Sequence, residues 1–149
     1  MSILLPDPEA TLAFGHALAA LVRPGDVIAL SGPLGAGKTS IARGLLSALG
    51  LTGEAPSPSF AIVQPYQPPE VRLPVLHVDL YRIADPGEVE ELGLEDAAGD
   101  SLLLVEWPER LPAHWWDGAL WLTLASDPAG GRRLTAQVPA AWKERWSLT

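Results

Sequence analysis

Gly32-Pro33-Leu34-Gly35-Ala36-Gly37-Lys38-Thr39 fits the pattern G-x-x-x-x-G-K-[ST], and its setting decides the fold. Glycines let the backbone turn successive N–H groups inward around phosphate oxygens. A helix starting at such a loop aims its positive end at the same anion. Upstream, residues 27–30 are a short apolar run between turn residues, which reads as a buried strand. Downstream, Ile41, Leu45 and Leu49 share one face of a helix that Gly50 stops. Strand, glycine loop and amphipathic helix in that order predict a phosphate-binding loop. Its candidate contacts are Gly35, Ala36, Gly37, Lys38, Thr39 and Ser40. Lys38 is expected to reach the β- and γ-phosphates of a nucleotide, and the Thr39 hydroxyl to coordinate Mg²⁺. The chain has no Asn-Lys-x-Asp base-reading motif, which favours ATP over GTP.

Magnesium on a nucleotide calls for a carboxylate at the C-terminal end of a buried strand beside the loop. Two apolar runs end that way, Leu76-His77-Val78-Asp79 and Leu103-Leu104-Val105-Glu106. Four apolar residues lead directly into Glu106, so it is the tidier metal ligand. Asp79 is then the second acid, polarising a water or a loop side chain; the alternative for each is capping a nearby helix. His77, on a strand, reads as a hydrogen-bonded core residue ahead of a general base. Arg82 either pairs with acids at 88–96 or reaches phosphate. Trp107 either stacks on a loop or partner or belongs to the core or its rim.

Working outward, residues 8–22 carry apolar side chains at helical spacing, and Arg23-Pro24-Gly25-Asp26 ends that helix. Residues 52–59 are loop by composition, 60–66 look extended, and 75–80 and 102–105 are apolar strands. Pro86, with Glu88, Glu90 and Glu91 behind it, is placed to open an acidic helix. Residues 120–125 and 133–138 flank Asp127-Pro128-Ala129-Gly130-Gly131 as a hairpin with a long turn, and 140–146 suggest a short helix. The expectation is an α/β fold of the P-loop NTPase type. It has a mostly parallel central sheet flanked by helices, with a C-terminal antiparallel hairpin, as one ATPase domain over residues 1–149.

The composition bounds the partners. With 149 residues, 48% apolar, the chain can bury a sizeable core. No cysteine is present, so disulfides, zinc–thiolate sites and thiol catalysis are excluded. Eighteen acids against ten bases give a net charge of −8, which argues against unaided binding of RNA or DNA. No apolar run approaches the ~20 residues of a membrane span, and the start lacks a signal-peptide pattern, so a cytoplasmic protein with no membrane partner is expected.

Several separated segments together resemble the TsaE family, the small P-loop ATPases of bacterial tRNA threonylcarbamoyladenosine synthesis. They are GPLGAGKTS from Gly32, SPSF at 57–60, HVDLYR at 77–82, DPGEVEELGLED at 85–96 and LVEWPER at 104–110. The resemblance runs from about residue 6 to 112. It implies action with TsaB-like and TsaD-like subunits, two related carbohydrate-kinase-fold proteins, one of which transfers threonylcarbamoyl to adenosine 37 of tRNA. The ATPase docks at their junction, and ATP binding and hydrolysis reset the complex, so tRNA is met only indirectly. Position by position, it implies Lys38 and Thr39 on phosphates and Mg²⁺, Glu106 as second metal ligand and Asp79 in hydrolysis or coupling. It also implies Ser57 and Ser59 in a switch-like segment over the γ-phosphate, Arg132 as a nucleotide contact, and adenine contacts from Pro8 to Thr11. Two positions depart from the family pattern: Pro33 stands where an acid is common, and Ser59 where a threonine is. The tryptophans of the last third, Trp115, Trp116, Trp142 and Trp146, read as core by default, with partner contact as the alternative.

Two rival functions share the same loop. A P-loop small-molecule kinase needs an acceptor pocket and an arginine-bearing lid, yet only Arg132-Arg133 offers paired arginines. A non-catalytic adaptor would bind nucleotide and release no phosphate. The acidic stretch 85–100, seven acids and no base, is either a docking face or a solvated helix side.

Overall fold

The protein's structure is a computed structural model that describes residues 2–33, 35–53, 63–83, 85, 87–88, 93–94 and 99–148. In chain order its elements are β1 (Ser2–Leu5), α1 (Pro8–Leu18), β2 (Val27–Ser31), α2 (Lys38–Ala48), β3 (Val63–Tyr66), β4 (Val75–Asp79), β5 (Leu102–Glu106), β6 (Leu120–Ser126), β7 (Arg132–Gln137) and α3 (Ala140–Lys143). Short 3-10 turns lie at Pro108–Arg110 and Ala113–Trp116. The strands form one sheet in the order β1-β7-β6-β2-β5-β4-β3. Its centre, β6-β2-β5-β4, is parallel. Antiparallel pairs close both edges, β6-β7-β1 on one side and β4-β3 on the other.

The unbroken apolar runs of the central strands follow from cover on both faces. Ile28, Ala29 and Leu30 of β2 and Leu102, Leu103, Leu104 and Val105 of β5 are all buried. One face packs on α1, α2 and Trp142, through Phe14, Leu18, Ile41, Leu45 and Leu46. The other packs on Leu80, Ile83, Leu94, Leu111 and Trp116. The core reading of the tryptophans holds for Trp142 and Trp116, which are buried, with Trp116 donating its indole N–H to the Pro108 carbonyl at 2.7 Å. Trp146 tilts against Phe14 at 6.5 Å, and Trp115 is half-buried beside Trp116.

Helix α1 starts where its sequence says, with Pro8 at its first turn and the Asp7 carboxylate accepting from the Ala10 N–H at 2.8 Å. It ends at Leu18, short of 22, because the next N–H groups bond three residues back: Ala19 to His16, Ala20 to Ala17, Leu21 to Leu18. The two helices touch backbone to backbone. A Cβ on Gly15 would lie 2.1 Å from the Ile41 carbonyl oxygen, and one on Gly44 2.3 Å from that of Leu12.

Strand β1 has no counterpart in the sequence reading. Of the extended stretch expected at 60–66, 63–66 is strand and 60–62 lies outside the described residues, as do Pro86 and 89–92 of the expected acidic helix. Among the described residues no helix is long and apolar enough to cross a membrane.

Candidate functional site

The parallel order sets the carboxyl ends of β2, β5 and β4 side by side. Leu30 pairs with Glu106, and Glu106 pairs with Asp79. Ligands of open α/β sheets bind in the crevice beyond these strand ends. The chain leaves β2 into the glycine loop and re-enters helix at Lys38. Gly37 takes φ 105°, a left-handed conformation that side chains resist, and α2 begins with no side-chain cap. The first amides of α2 are therefore left for an acceptor from outside the helix, which is what an anion provides.

A cavity of about 230 Å³ lies here, bounded by the loop residues Gly35 to Ser40 and by Asp79, Glu106 and Trp107. Lys38 is 5% exposed; its ammonium is held by the carbonyls of Gly32 and of Pro33 (3.2 Å) and sits 3.8 Å from the centre of a Trp107 ring. Burial pushes its pKa below the ordinary lysine value, while the charges of Glu106, Glu109 and Asp79 pull it back up. The Thr39 hydroxyl donates to Glu106 Oε1 at 2.9 Å, and His77 Nε2 lies 2.6 Å from Glu106 Oε2. Asp79, buried, accepts from the Tyr81 N–H at 2.9 Å. A hydroxyl and a carboxylate oxygen in contact, with a second carboxylate lining the same cavity, are hard oxygen donors. Mg²⁺ takes one or two such protein oxygens and completes its shell with water and phosphate. The donor set fits that ion.

Pro8 and Thr11 of α1 and Arg132 of β7, from opposite ends of the chain, line a second cavity of about 300 Å³. Gly35, Gly37 and Ser40 line both cavities. One loop thus separates a carboxylate-rich pocket from one walled by α1 and β7. Arg132 also braces the loop itself, donating to the carbonyls of Ala36 at 3.1 Å and Gly35 at 2.9 Å. Ser57 and Ser59 lie outside the described residues.

Three features of the site were not legible in the sequence. Trp107 holds φ 61°, ψ 48°, a left-handed backbone that costs a side-chain-bearing residue about 1–2 kcal/mol. Its rings meet Lys38 and, at 4.9 Å, Tyr81. Such strain collects where function holds it in place. The Ser31 hydroxyl donates to Glu109 at 2.6 Å, tying the end of β2 to the turn after β5. The His77–Glu106 contact crosses between neighbouring strands. The signal for that contact was present as residue parity, but only the pairing of β4 with β5 converts it to a distance.

Sheet order, loop and strand-end acids define a P-loop protein. The chain belongs to the TsaE family: residues 5–134 match the family described as threonylcarbamoyl adenosine biosynthesis protein TsaE. That match continues through β6 into β7, beyond the segments that carry the sequence resemblance. The chain is 47% identical over 117 residues to a tRNA threonylcarbamoyladenosine biosynthesis protein TsaE of Synechocystis, covering 75% of this chain and 73% of that one. It is 42% identical over 111 residues to the protein of that name from Bacillus subtilis, covering 71% and 68%. Its structure is similar to the crystal structure of Bacillus subtilis YdiB with a TM-score of 0.76 and 31% identity, over 97% of this chain and 89% of that one.

Proposed function

We propose that this chain is an Mg²⁺-dependent ATPase, a single domain of low intrinsic activity stimulated by partners. It serves threonylcarbamoyl transfer to adenosine 37 of tRNA in the cytoplasm. The observation that carries the reading is the contact of Thr39 with Glu106 at 2.9 Å, beside a buried lysine at the N-terminus of α2. Loop amides and Lys38 hold the triphosphate tail, and the α1–β7 cavity takes the nucleoside, with Pro8, Thr11 and Arg132 around it. Thr39 and Glu106 are the metal ligands, and Ser57 and Ser59 close over the γ-phosphate. Magnesium, when bound, neutralises charge on the β- and γ-phosphates. Asp79 orients the attacking water or couples its attack to the partner.

The partners are TsaB-like and TsaD-like subunits, on which the chain docks and which it resets between turnovers. A net charge of −8 suits a subunit that leaves tRNA to them. Phosphate release, measured alone and with the two subunits, tests the reading. Slow release that the subunits accelerate is expected. Tight ATP binding without release under both conditions would make the chain an adaptor, and ATP-dependent phosphorylation of an acceptor from a metabolite panel would make it a kinase.

A further inference from the structure

One buried polar side chain beside this site has no role in the scheme above. His77 is fully buried in β4, on the sheet face that carries the core residues Val75, Leu102 and Leu104. Alternation along the strand puts it on the face that carries Val75 and Asp79. The register sets it opposite Leu104, two residues before Glu106. The imidazole therefore reaches Glu106 from the neighbouring strand, with Nε2 2.6 Å from Oε2. Its other nitrogen, Nδ1, is buried and has no hydrogen-bond partner among the described residues. A proton on Nδ1 would be a donor with nothing to accept it, so the ring proton belongs on Nε2, donated to the carboxylate.

Glu106 is consequently held at both oxygens, Oε1 by the Thr39 hydroxyl and Oε2 by His77. A glutamate has three side-chain torsions, and a single hydrogen bond leaves its carboxylate free to swing and twist. Donors on both oxygens fix its position and its plane. Partners of this kind orient ligating carboxylates, and their loss weakens metal binding even though they never touch the ion.

We propose that His77 is a positioning residue for Glu106: from β4 it ties down one carboxylate oxygen, so that the other, paired with Thr39, meets the magnesium of a bound nucleotide already oriented. This rests on the ATP–Mg²⁺ reading above. The competing role is that of a space-filling core residue, and a pair of near-isosteric variants separates the two. In His77→Gln the amide N–H falls near the position of Nε2, whereas in His77→Asn it falls near Nδ1, short of Glu106. His77→Leu removes the donor altogether.

The test is calorimetric binding of a non-hydrolysable ATP analogue to the full chain, in EDTA and in Mg²⁺, with a thermal melt of each variant. Affinity in EDTA should stay within about threefold of wild type throughout, and the gain conferred by Mg²⁺ should fall by about 10- to 100-fold in the Asn and Leu variants. The Gln variant should keep that gain. A folded Asn variant with the wild-type gain, or a Gln variant that loses as much as Asn, would overturn the proposal while leaving the ATP–Mg²⁺ reading intact. A wild-type affinity indifferent to Mg²⁺ would overturn both. Imidazole ¹⁵N resonances of the wild-type protein give a measurement independent of any variant: the Nε2–H tautomer is expected, and an Nδ1–H tautomer would sink the proposal.

Discussion

Lys38 is one of two lysines in the chain, and it is buried under an indole against two loop carbonyls. Among the described residues no other lysine or arginine lines the carboxylate-rich cavity, so its loss has no substitute there. Lys38→Ala should remove measurable ATP binding, in calorimetry, with or without Mg²⁺. Glu106→Ala should behave differently, because in the proposed scheme the carboxylate acts through the metal. Affinity in Mg²⁺ should drop by roughly tenfold or more, and affinity in EDTA by less than about threefold. If Asp79→Ala gave the Glu106 pattern and Glu106→Ala did not, the two acids would exchange roles. A separate residue-scale prediction concerns the hairpin turn. Arg133 donates to Asp127 at 2.9 Å, and that bond, aided by the Ala129 N–H, holds the Asp127 carboxyl below its ordinary 3.8. A carboxyl depressed on folding stabilises the folded chain above its unfolded value. The contribution is lost as pH falls through the lower folded value. Arg133→Leu should move the Asp127 midpoint up toward 3.8 in a carboxylate NMR titration, and an unchanged midpoint would refute the pairing.

At the scale of elements, the crossing of α1 and α2 makes the sharpest claim. Gly15→Ala would gain roughly 1 kcal/mol of helix propensity, yet its new methyl would sit 2.1 Å from the Ile41 carbonyl oxygen. Overpacking of this kind costs about 1–3 kcal/mol and here forces two backbones apart, so sterics win. Net of the propensity gain, the melting temperature should fall by up to about 8 °C for a chain of this size, and a rise would refute the close crossing. Much of the element plan was legible beforehand. The central strands announce themselves because burial on both faces demands unbroken apolar runs, and α2 because its face repeats at Ile41, Leu45 and Leu49. Strand β1 did not, since four residues, only Leu5 of them buried, leave too little pattern to read. For the site, sequence supplied Lys38, Thr39, Asp79 and Glu106, whose positions are fixed by local chain logic. It could not supply Trp107 over Lys38 or Arg132 on the loop, because those contacts depend on how distant segments meet.

Across the whole molecule, charge sets what the protein can hold unaided. Ten basic residues against eighteen acids leave no surplus for phosphate neutralisation, and Lys38 is buried. Fluorescence anisotropy should therefore register no submicromolar binding of tRNA at physiological salt by the isolated chain. Tight binding there would contradict the indirect role. The sheet has a further property at its margins. One edge strand, β3, carries Pro65, which lacks the N–H that strand addition would use, and the other, β1, is only four residues long. Short as it is, β1 covers the exposed side of β7 and runs into Leu5, Pro6 and Asp7, which form part of the wall of the α1–β7 cavity. An affinity tag or leader fused ahead of Ser2 would therefore pull on the wall of that cavity, whereas the same fusion after α3 would hang from the rim of the core. On the proposed assignment of that cavity to the nucleoside, trimming the first few amino acids would weaken nucleotide binding.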